Sequence, residues 1–187
     1  MRRLTAFNNI SLDGYFTDAG GDMGWAHAGG DDPEFAAFTA GNARGSGALL
    51  FGRVTYDMMA GYWPSALARE RSPAVAERMN AMRKYVVSRS LTLASWANTA
   101  VIGDLAGEVA ALKREDGPDI AILGSGSIVA QLAAAGLIDA FQAVVNPVVL
   151  GAGRTMFEGV GRRLGLTLTG SRAFANGKVL LSYSPAG

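Results

Sequence analysis

Three short segments of this chain carry residues that could do chemistry. The first runs from Asp119 through Ile-Ala-Ile-Leu-Gly-Ser-Gly-Ser-Ile-Val-Ala-Gln to Leu132. Ile120 to Leu123 reads as a buried strand, Gly124-Ser125-Gly126-Ser127 as a tight turn, and Ile128 to Ala135 as a helix closed by Gly136. Such a junction aims backbone N–H groups and the positive end of a helix dipole at one point, which suits a phosphate. The other two segments are Gly52-Arg53-Val54-Thr55, after an apolar Leu49–Phe51 run, and Ser88-Arg89-Ser90, after Tyr85–Val87. A guanidinium is a planar fork of donors matched to a phosphate monoester. Taken singly, each has a plainer reading: a solvated arginine, a strand-ending glycine, a tight turn. Together they describe a site for a ligand with several phosphates at the carboxyl ends of parallel strands, where open α/β sheets collect their ligands.

The elements that must position these groups follow from hydrophobic periodicity. Leu4 to Asn9 reads as the first strand, and Ile10 to Gly30 as a long glycine-rich loop containing Asp13-Gly14, Gly20-Gly21-Asp22 and Gly29-Gly30. Loops of that length in compact domains are usually functional or mobile. Asp32, Pro33 and Glu34 then form a helix start, as N-cap, N1 and first-turn acid, with Phe35 and Phe38 on the apolar face. Strands are expected at Ala48–Gly52, Lys84–Ser88, Thr99–Ile102, Ile120–Leu123 and in the apolar run from Ala140 to Val149. Helices are expected from Val54 to Met59, through Val75, Met79 and Met82, and through Leu105, Val109 and Leu112. Asn176-Gly177 between Leu166–Thr169 and Val179–Tyr183 is a hairpin turn signal. The pattern predicts an α/β fold in one domain. Its mostly parallel sheet of about eight strands carries helices on both faces and an antiparallel C-terminal hairpin.

Composition narrows the function classes. A chain of 187 residues with 49% hydrophobic content can bury a core without disulfides or metals. Its 17 basic and 16 acidic residues give a net charge of +1, too balanced for the basic face of a nucleic-acid-binding protein. With no cysteine there is no thiolate chemistry and no cysteine zinc site, and with His27 as the sole histidine any triad or histidine metal site would have to be built around that one residue. The expectation is no metal, no membrane span, and a cytoplasmic location. The spacing is not that of a Rossmann fingerprint near the N-terminus.

The order Ser11-Leu12-Asp13-Gly14, Leu50-Phe51-Gly52-Arg53-Val54-Thr55-Tyr56, Val87-Ser88-Arg89 and Leu123-Gly124-Ser125-Gly126 resembles the dihydrofolate-reductase-like superfamily. The nearer resemblance is to the branch containing the reductase domain of bacterial riboflavin biosynthesis. Val148-Val149-Leu150-Gly151-Ala152-Gly153 with Met156-Phe157 is a further mark of that branch. The likeness covers nearly the whole chain.

That resemblance implies a dihydrofolate-reductase-like fold, a central eight-stranded sheet binding NADPH in an extended pose. By position, Arg53, Thr55, Ser88 and Arg89 would hold the adenosine half and its 2′-phosphate, Gly52 would also bind the cofactor, and Gly124, Ser125, Gly126, Ser127 and Ile128 would hold the pyrophosphate and ribose. Ala6, Phe7 and the segment Asp13 to Phe16 would flank the nicotinamide. The arginines favour NADPH over NADH, since only NADPH carries the extra phosphate. The carboxylate that dihydrofolate reductases place on the helix after the first loop matches Glu34, with Asp31 and Asp32 adjacent to the match. Asp13 is the other catalytic candidate, or shapes a turn. Trp25, Phe38, Tyr62 and Trp63 would wall a pocket for an aromatic substrate, or belong to the core.

Departures from the pattern restrict the substrate. Met23-Gly24-Trp25 stands where dihydrofolate reductases carry Leu-Pro-Trp, and no arginine after Tyr62-Trp63-Pro64 is placed to hold a folate tail. The expectation is therefore an NADPH-dependent reductase of a small heterocyclic or carbonyl substrate, acting as a homodimer. The alternatives are a dihydrofolate or pyrimidinone reductase, and a nucleotide-binding protein without turnover.

Overall fold

Six strands of the computed structural model run parallel, and two more close one side of the sheet antiparallel. The structure describes residues 1–28, 30, 32–45 and 47–186, with the side chains of 43–45 left aside. Asp31 and Gly29, both singled out in the sequence, fall outside the described residues. The strands are β1 (Leu4–Ser11), β2 (Tyr15–Asp18), β3 (Ala48–Gly52), β4 (Arg83–Val87), β5 (Thr99–Ile102), β6 (Ile120–Leu123), β7 (Ala140–Asn146), β8 (Gly153–Thr155), β9 (Leu166–Ala173) and β10 (Val179–Pro185). The main sheet has the order β5-β4-β3-β6-β1-β7-β10-β9, while β2 and β8 pair separately as a two-stranded ribbon.

The α-helices are α1 (Pro33–Gly45), α2 (Arg53–Tyr62), α3 (Ala66–Arg71), α4 (Pro73–Ala81), α5 (Leu105–Arg114) and α6 (Gly126–Ala134). Alternate residues of a strand face opposite sides, and β1 shows which layer lies on which side. Leu4 and Ala6 pack with Ile128, Val129 and Leu132 of α6, whereas Phe7 packs with Phe35 and Phe38 of α1. Leu49, Phe51 and Val86 face the same side as Phe7 and meet Tyr56, Met79 and Trp96. Helices α5 and α6 thus cover one face, and α1, α2 and α4 the other.

Two expectations change. The stretch Ile10 to Gly30 is not one loop, because β1 continues to Ser11, β2 follows, and Gly24–His27 forms a 3₁₀ turn. The strand β2 was hidden because its partner β8, from Gly153, is far away in sequence and contributes only three residues. The run from Ala140 stops as a strand at Asn146, where Pro147 has no N–H to give the ladder.

Lys84 closes the end of α4 from inside the core. Its ammonium donates to the carbonyls of Met79, Asn80 and Met82 at 2.9, 3.0 and 2.6 Å, and lies 4.5 Å from the Trp96 ring centroid. Those carbonyls lack helical partners at a helix end, so a buried cation is a local solution to a backbone problem.

Candidate functional site

The carboxyl ends of β3, β4, β5 and β6 fall on one side of the sheet, and a groove of about 830 Å³ opens at those of β3, β4 and β5. Arg53, Ser88 and Arg89 line it, as the strand-end reading expects. The sequence reading did not name Gly103, Asp104 and Gln131, which also line it. The first two follow β5 in the same strand-to-helix junction that drew attention to Gly52 and Gly124, so the signal was present. Gln131 lies one helical turn beyond Ser127, and its side chain donates to the Ser127 carbonyl at 3.0 Å.

Arg53 is half-exposed and its Nε is held by Asp57 one turn along α2, at 2.7 Å. An exposed pair of this kind adds little stability. Its effect is geometric: the shaft is fixed and the terminal nitrogens are left to reach the groove. Ser88 caps the following turn, its Oγ accepting from the N–H of Leu91 at 3.0 Å and of Ser90 at 3.2 Å. Asp104 caps α5 through the N–H of Gly107 at 3.2 Å, which occupies part of the one carboxylate in a groove otherwise suited to an anion.

The glycine turn is clipped to the start of α2. Ser125 adopts φ 59°, a left-handed conformation uncommon for a residue with a side chain. In that conformation its Oγ accepts from the Gly52 N–H at 2.7 Å and donates to Thr55 Oγ1 at 3.0 Å. Thr55 also closes over Gly124, where a Cβ would come within 3.2 Å of Thr55 Oγ1. Gly52, Thr55, Gly124 and Ser125 are therefore brought together as expected, but as mutual partners.

Ile128 is engaged twice, its N–H donating to the Ser125 carbonyl at 2.9 Å and its side chain lying in the core. The N–H groups left to face an anion in the first turn of α6 are those of Gly126 and Ser127. Gly126 has another reason to be glycine. A Cβ there would stand 2.5 Å from Cε1 of Phe16 and 3.1 Å from the Thr155 carbonyl, so the β2–β8 ribbon packs directly on this residue.

The nicotinamide-flanking candidates separate by face. Ala6 is buried under α6, Phe16 is buried against Gly126, and Phe7 faces the opposite layer, 6.2 Å from the Phe38 ring. Phe38 continues into a cluster with Phe35 and Phe174, at 6.1 and 5.5 Å between ring centroids. Tyr62 and Trp63 instead meet each other edge-on at 5.0 Å at the end of α2. Trp25 donates its Nε1–H to the Asp22 carbonyl at 3.2 Å within its own loop. Among the described residues no ring contact joins Phe38, the Tyr62–Trp63 pair and Trp25 into one wall.

Both carboxylates expected to move a proton have other contacts. Glu34 is exposed and pairs with Arg172 on β9, the outermost strand, away from β1. Asp13 accepts from Ser11 Oγ at 2.6 Å and from the N–H groups of Gly151 and Leu150 at 2.8 and 3.1 Å. The Ser11 hydroxyl and those N–H groups hold its carboxyl below the usual range, so it stays ionised and ties the loop after β1 to the loop after β7. Asp32, beside Glu34, caps α1 through Phe35 and Glu34 N–H and accepts from Asn176 N–H at 3.0 Å, which also lowers its pKa. No group of acidic or histidine side chains among the described residues could hold a metal ion, and none of their helices is long and apolar enough to cross a membrane.

Comparison with known proteins agrees with this architecture. The family model of the RibD C-terminal domain matches residues 2–180. An uncharacterised protein from Bacillus subtilis strain 168, YyaP, is 27% identical over 182 residues, covering 97% of this chain and 94% of its own. Among solved structures, one from Shewanella sp. PV-4 described as a riboflavin biosynthesis protein superposes with a TM-score of 0.76 at 21% identity, over 99% of both chains. A pyrimidine reductase-like protein from Corynebacterium diphtheriae superposes at 0.66 and 16% identity, over 100% of this chain and 92% of its own. The Thermotoga maritima diaminohydroxyphosphoribosylaminopyrimidine deaminase/5-amino-6-(5-phosphoribosylamino)uracil reductase reaches 0.70 at 16% identity, with this chain covering 57% of its length.

Proposed function

Because the chain belongs to the RibD C-terminal domain family, we propose that it is an NADPH-dependent reductase that transfers hydride to a small heterocyclic or carbonyl substrate. The observation that carries this reading is the groove of about 830 Å³ in which Arg53, Ser88 and Arg89 meet at the ends of β3 and β4. Two guanidinium groups and a serine hydroxyl lining one groove suit a phosphate monoester, and the 2′-phosphate distinguishes NADPH from NADH. Gln131 offers an amide at the same groove for the adenine or its ribose. The first turn of α6 would take the pyrophosphate.

The cofactor supplies the hydride, and the protein's part is to hold the ring and the substrate in register. Phe7, Phe35 and Phe38 form an apolar layer beside β1 on which a flat substrate ring would rest. The test is a thermal melt and a titration with NADPH and NADH, followed by NADPH oxidation with carbonyl and reducible heterocyclic substrates. Saturation near 100 times Kd adds about 2.7 kcal/mol of stability. Stabilisation by NADPH with substrate-dependent oxidation supports a reductase. Stabilisation without turnover would favour a nucleotide-binding protein.

We also propose that two copies pair through the β9 edge. All eight residues of β9 are exposed, and a hollow of about 320 Å³ lined by Phe141, Phe157, Val160, Leu164 and Leu166 opens beside it. An unpaired strand edge carrying exposed Leu166 and Leu168 is a surface that natural proteins cover. A second β9 offers it a like partner, with both sets of main-chain donors and acceptors unspent.

A further inference from the structure

The groove at the ends of β3, β4 and β5 is not uniform in charge. Arg53 and Arg89 follow β3 and β4, whereas Asp104 follows β5, the edge strand one place further out. Asp104 is exposed, and it is the one carboxylate among the residues that line the groove. Its Oδ1 accepts from the N–H of Gly107 at 3.2 Å. Its Oδ2 has no hydrogen bond and no cation partner among the described residues, although two arginines line the same groove. Gly107 leaves room for that oxygen, since a Cβ there would collide with it.

Capping accounts for only one oxygen of this acid, and Ser, Thr or Asn would cap as well. An ion pair does not account for the other. Nor does the start of α5 invite an anion. Glu108 Oε1 accepts from the N–H groups of Gly103 and Asp104 at 2.8 and 2.9 Å, so two carboxylates already answer the positive end of that helix. A group seated here must bring a hydrogen-bond donor and no negative charge. Val87 and Ala106 supply apolar surface around it. Apolar surface beside a single acceptor is the complement of a flat heterocycle with an exocyclic amino group. With one oxygen free and not two, the acid suits the lone amino group of adenine better than the paired N–H groups of guanine.

Resting on the NADPH reading above, we propose that Asp104 is the base-selecting residue of the groove, its Oδ2 accepting from the 6-amino group of adenine while Arg53 and Arg89 take the phosphate. The two parts of the groove then read opposite features of one ligand. A carboxylate repels a phosphate placed against it, so Asp104 also fixes which way round the nucleotide lies.

The probe is reduced nicotinamide hypoxanthine dinucleotide phosphate, which carries a 6-carbonyl where NADPH carries the amino group. It sets an acceptor against the acceptor of Asp104. Wild type is expected to bind it at least about 10-fold more weakly than NADPH, the worth of one hydrogen bond to a charged group. Asp104→Asn keeps the cap through its Oδ1 and puts an amide donor in place of Oδ2, so the preference should vanish or reverse. Asp104→Ser also caps α5 but does not reach the base, and it should bind the two nucleotides alike. The ratio is read within each variant, so any general gain from losing a negative charge cancels. Equal binding of the two nucleotides by wild type, or the wild-type ratio kept in both variants, overturns the role of Asp104 and leaves the cofactor reading intact. Binding of neither nucleotide by wild type overturns the cofactor reading, and this proposal with it.

Discussion

The Oγ of Ser125 accepts the backbone N–H of Gly52 at 2.7 Å, joining two strand ends that are 73 residues apart in sequence. Through the same oxygen Ser125 reaches Thr55, so the start of α2 and the glycine turn before α6 are held as one unit. The left-handed φ of Ser125 is the conformation in which its side chain can do this.

Removing that hydroxyl should loosen both helix starts. Ser125→Ala loses both hydrogen bonds and keeps the strained φ, and is expected to cost about 1–3 kcal/mol in urea unfolding. Ser125→Gly loses the same bonds but relieves the strain, so it should be the more stable of the two by about 1 kcal/mol. Equal stability of the two variants would mean that the conformation at this residue carries no strain.

Gly126 is expected to be sensitive for a reason that lies within the fold. Gly126→Ala places a methyl against the Phe16 ring, and it should destabilise the protein by about 1–3 kcal/mol. Phe16→Leu in the same chain should recover part of that loss. A double-mutant cycle on melting temperatures measures the coupling, and strict additivity of the two changes would show that the ring can move aside.

The arginine groove predicts selectivity. Arg53→Ala combined with Arg89→Ala should weaken NADPH by at least about 10-fold, since hydrogen bonds to charged groups are worth about 1.5–3 kcal/mol. NADH should be nearly unaffected. Equal weakening of the two nucleotides in a titration would remove these residues from a 2′-phosphate site.

Lys84 predicts a pH dependence of stability. Burial pushes its ammonium down from 10.5 to about 8, against three carbonyls that favour the charged form. Between about pH 8 and 10.5 the unfolded chain then holds a proton that the folded one has released, so this group's contribution to stability rises with pH across that window and is flat below it. Lys84→Met has no such titration and leaves the carbonyls without a donor. It should be less stable than wild type by about 1–3 kcal/mol at pH 7, with the deficit widening by about 2–3 kcal/mol between pH 8 and 10.5. Urea midpoints of the two proteins at several pH values give the difference directly, and a constant deficit would place the folded Lys84 pKa near its ordinary value.

The β9 edge predicts an oligomer. Wild type is expected to elute as a dimer with light scattering, and Leu168→Lys, which puts a charge on the exposed edge, should shift it towards monomer without lowering helix content. A monomeric wild type at high concentration would dispose of the β9 pairing.

The sequence by itself determined the fold class and the strand ends at which the arginines stand. Runs such as Ala48–Gly52 and Ile120–Leu123 are short, apolar and ended by glycine, and alternation with helices leaves few ways to assemble them other than a parallel sheet. Strand ends then fall on one side, which places Arg53, Ser88 and Arg89 at one groove. What each remaining residue does was decided only by tertiary structure. Glu34 stands in the first turn of α1, but a carboxylate follows the nearest cation, and Arg172 is 138 residues away in sequence. An Asp-Gly pair suits Asp13 to a proton carrier or a turn former alike, and its N–H partners at Leu150 and Gly151 come from a loop that sequence spacing cannot bring to it. Periodicity reports which side of an element is apolar. Hydrogen bonding depends on directions fixed to within a few tenths of an ångström, and those are set by contacts between segments far apart in the chain.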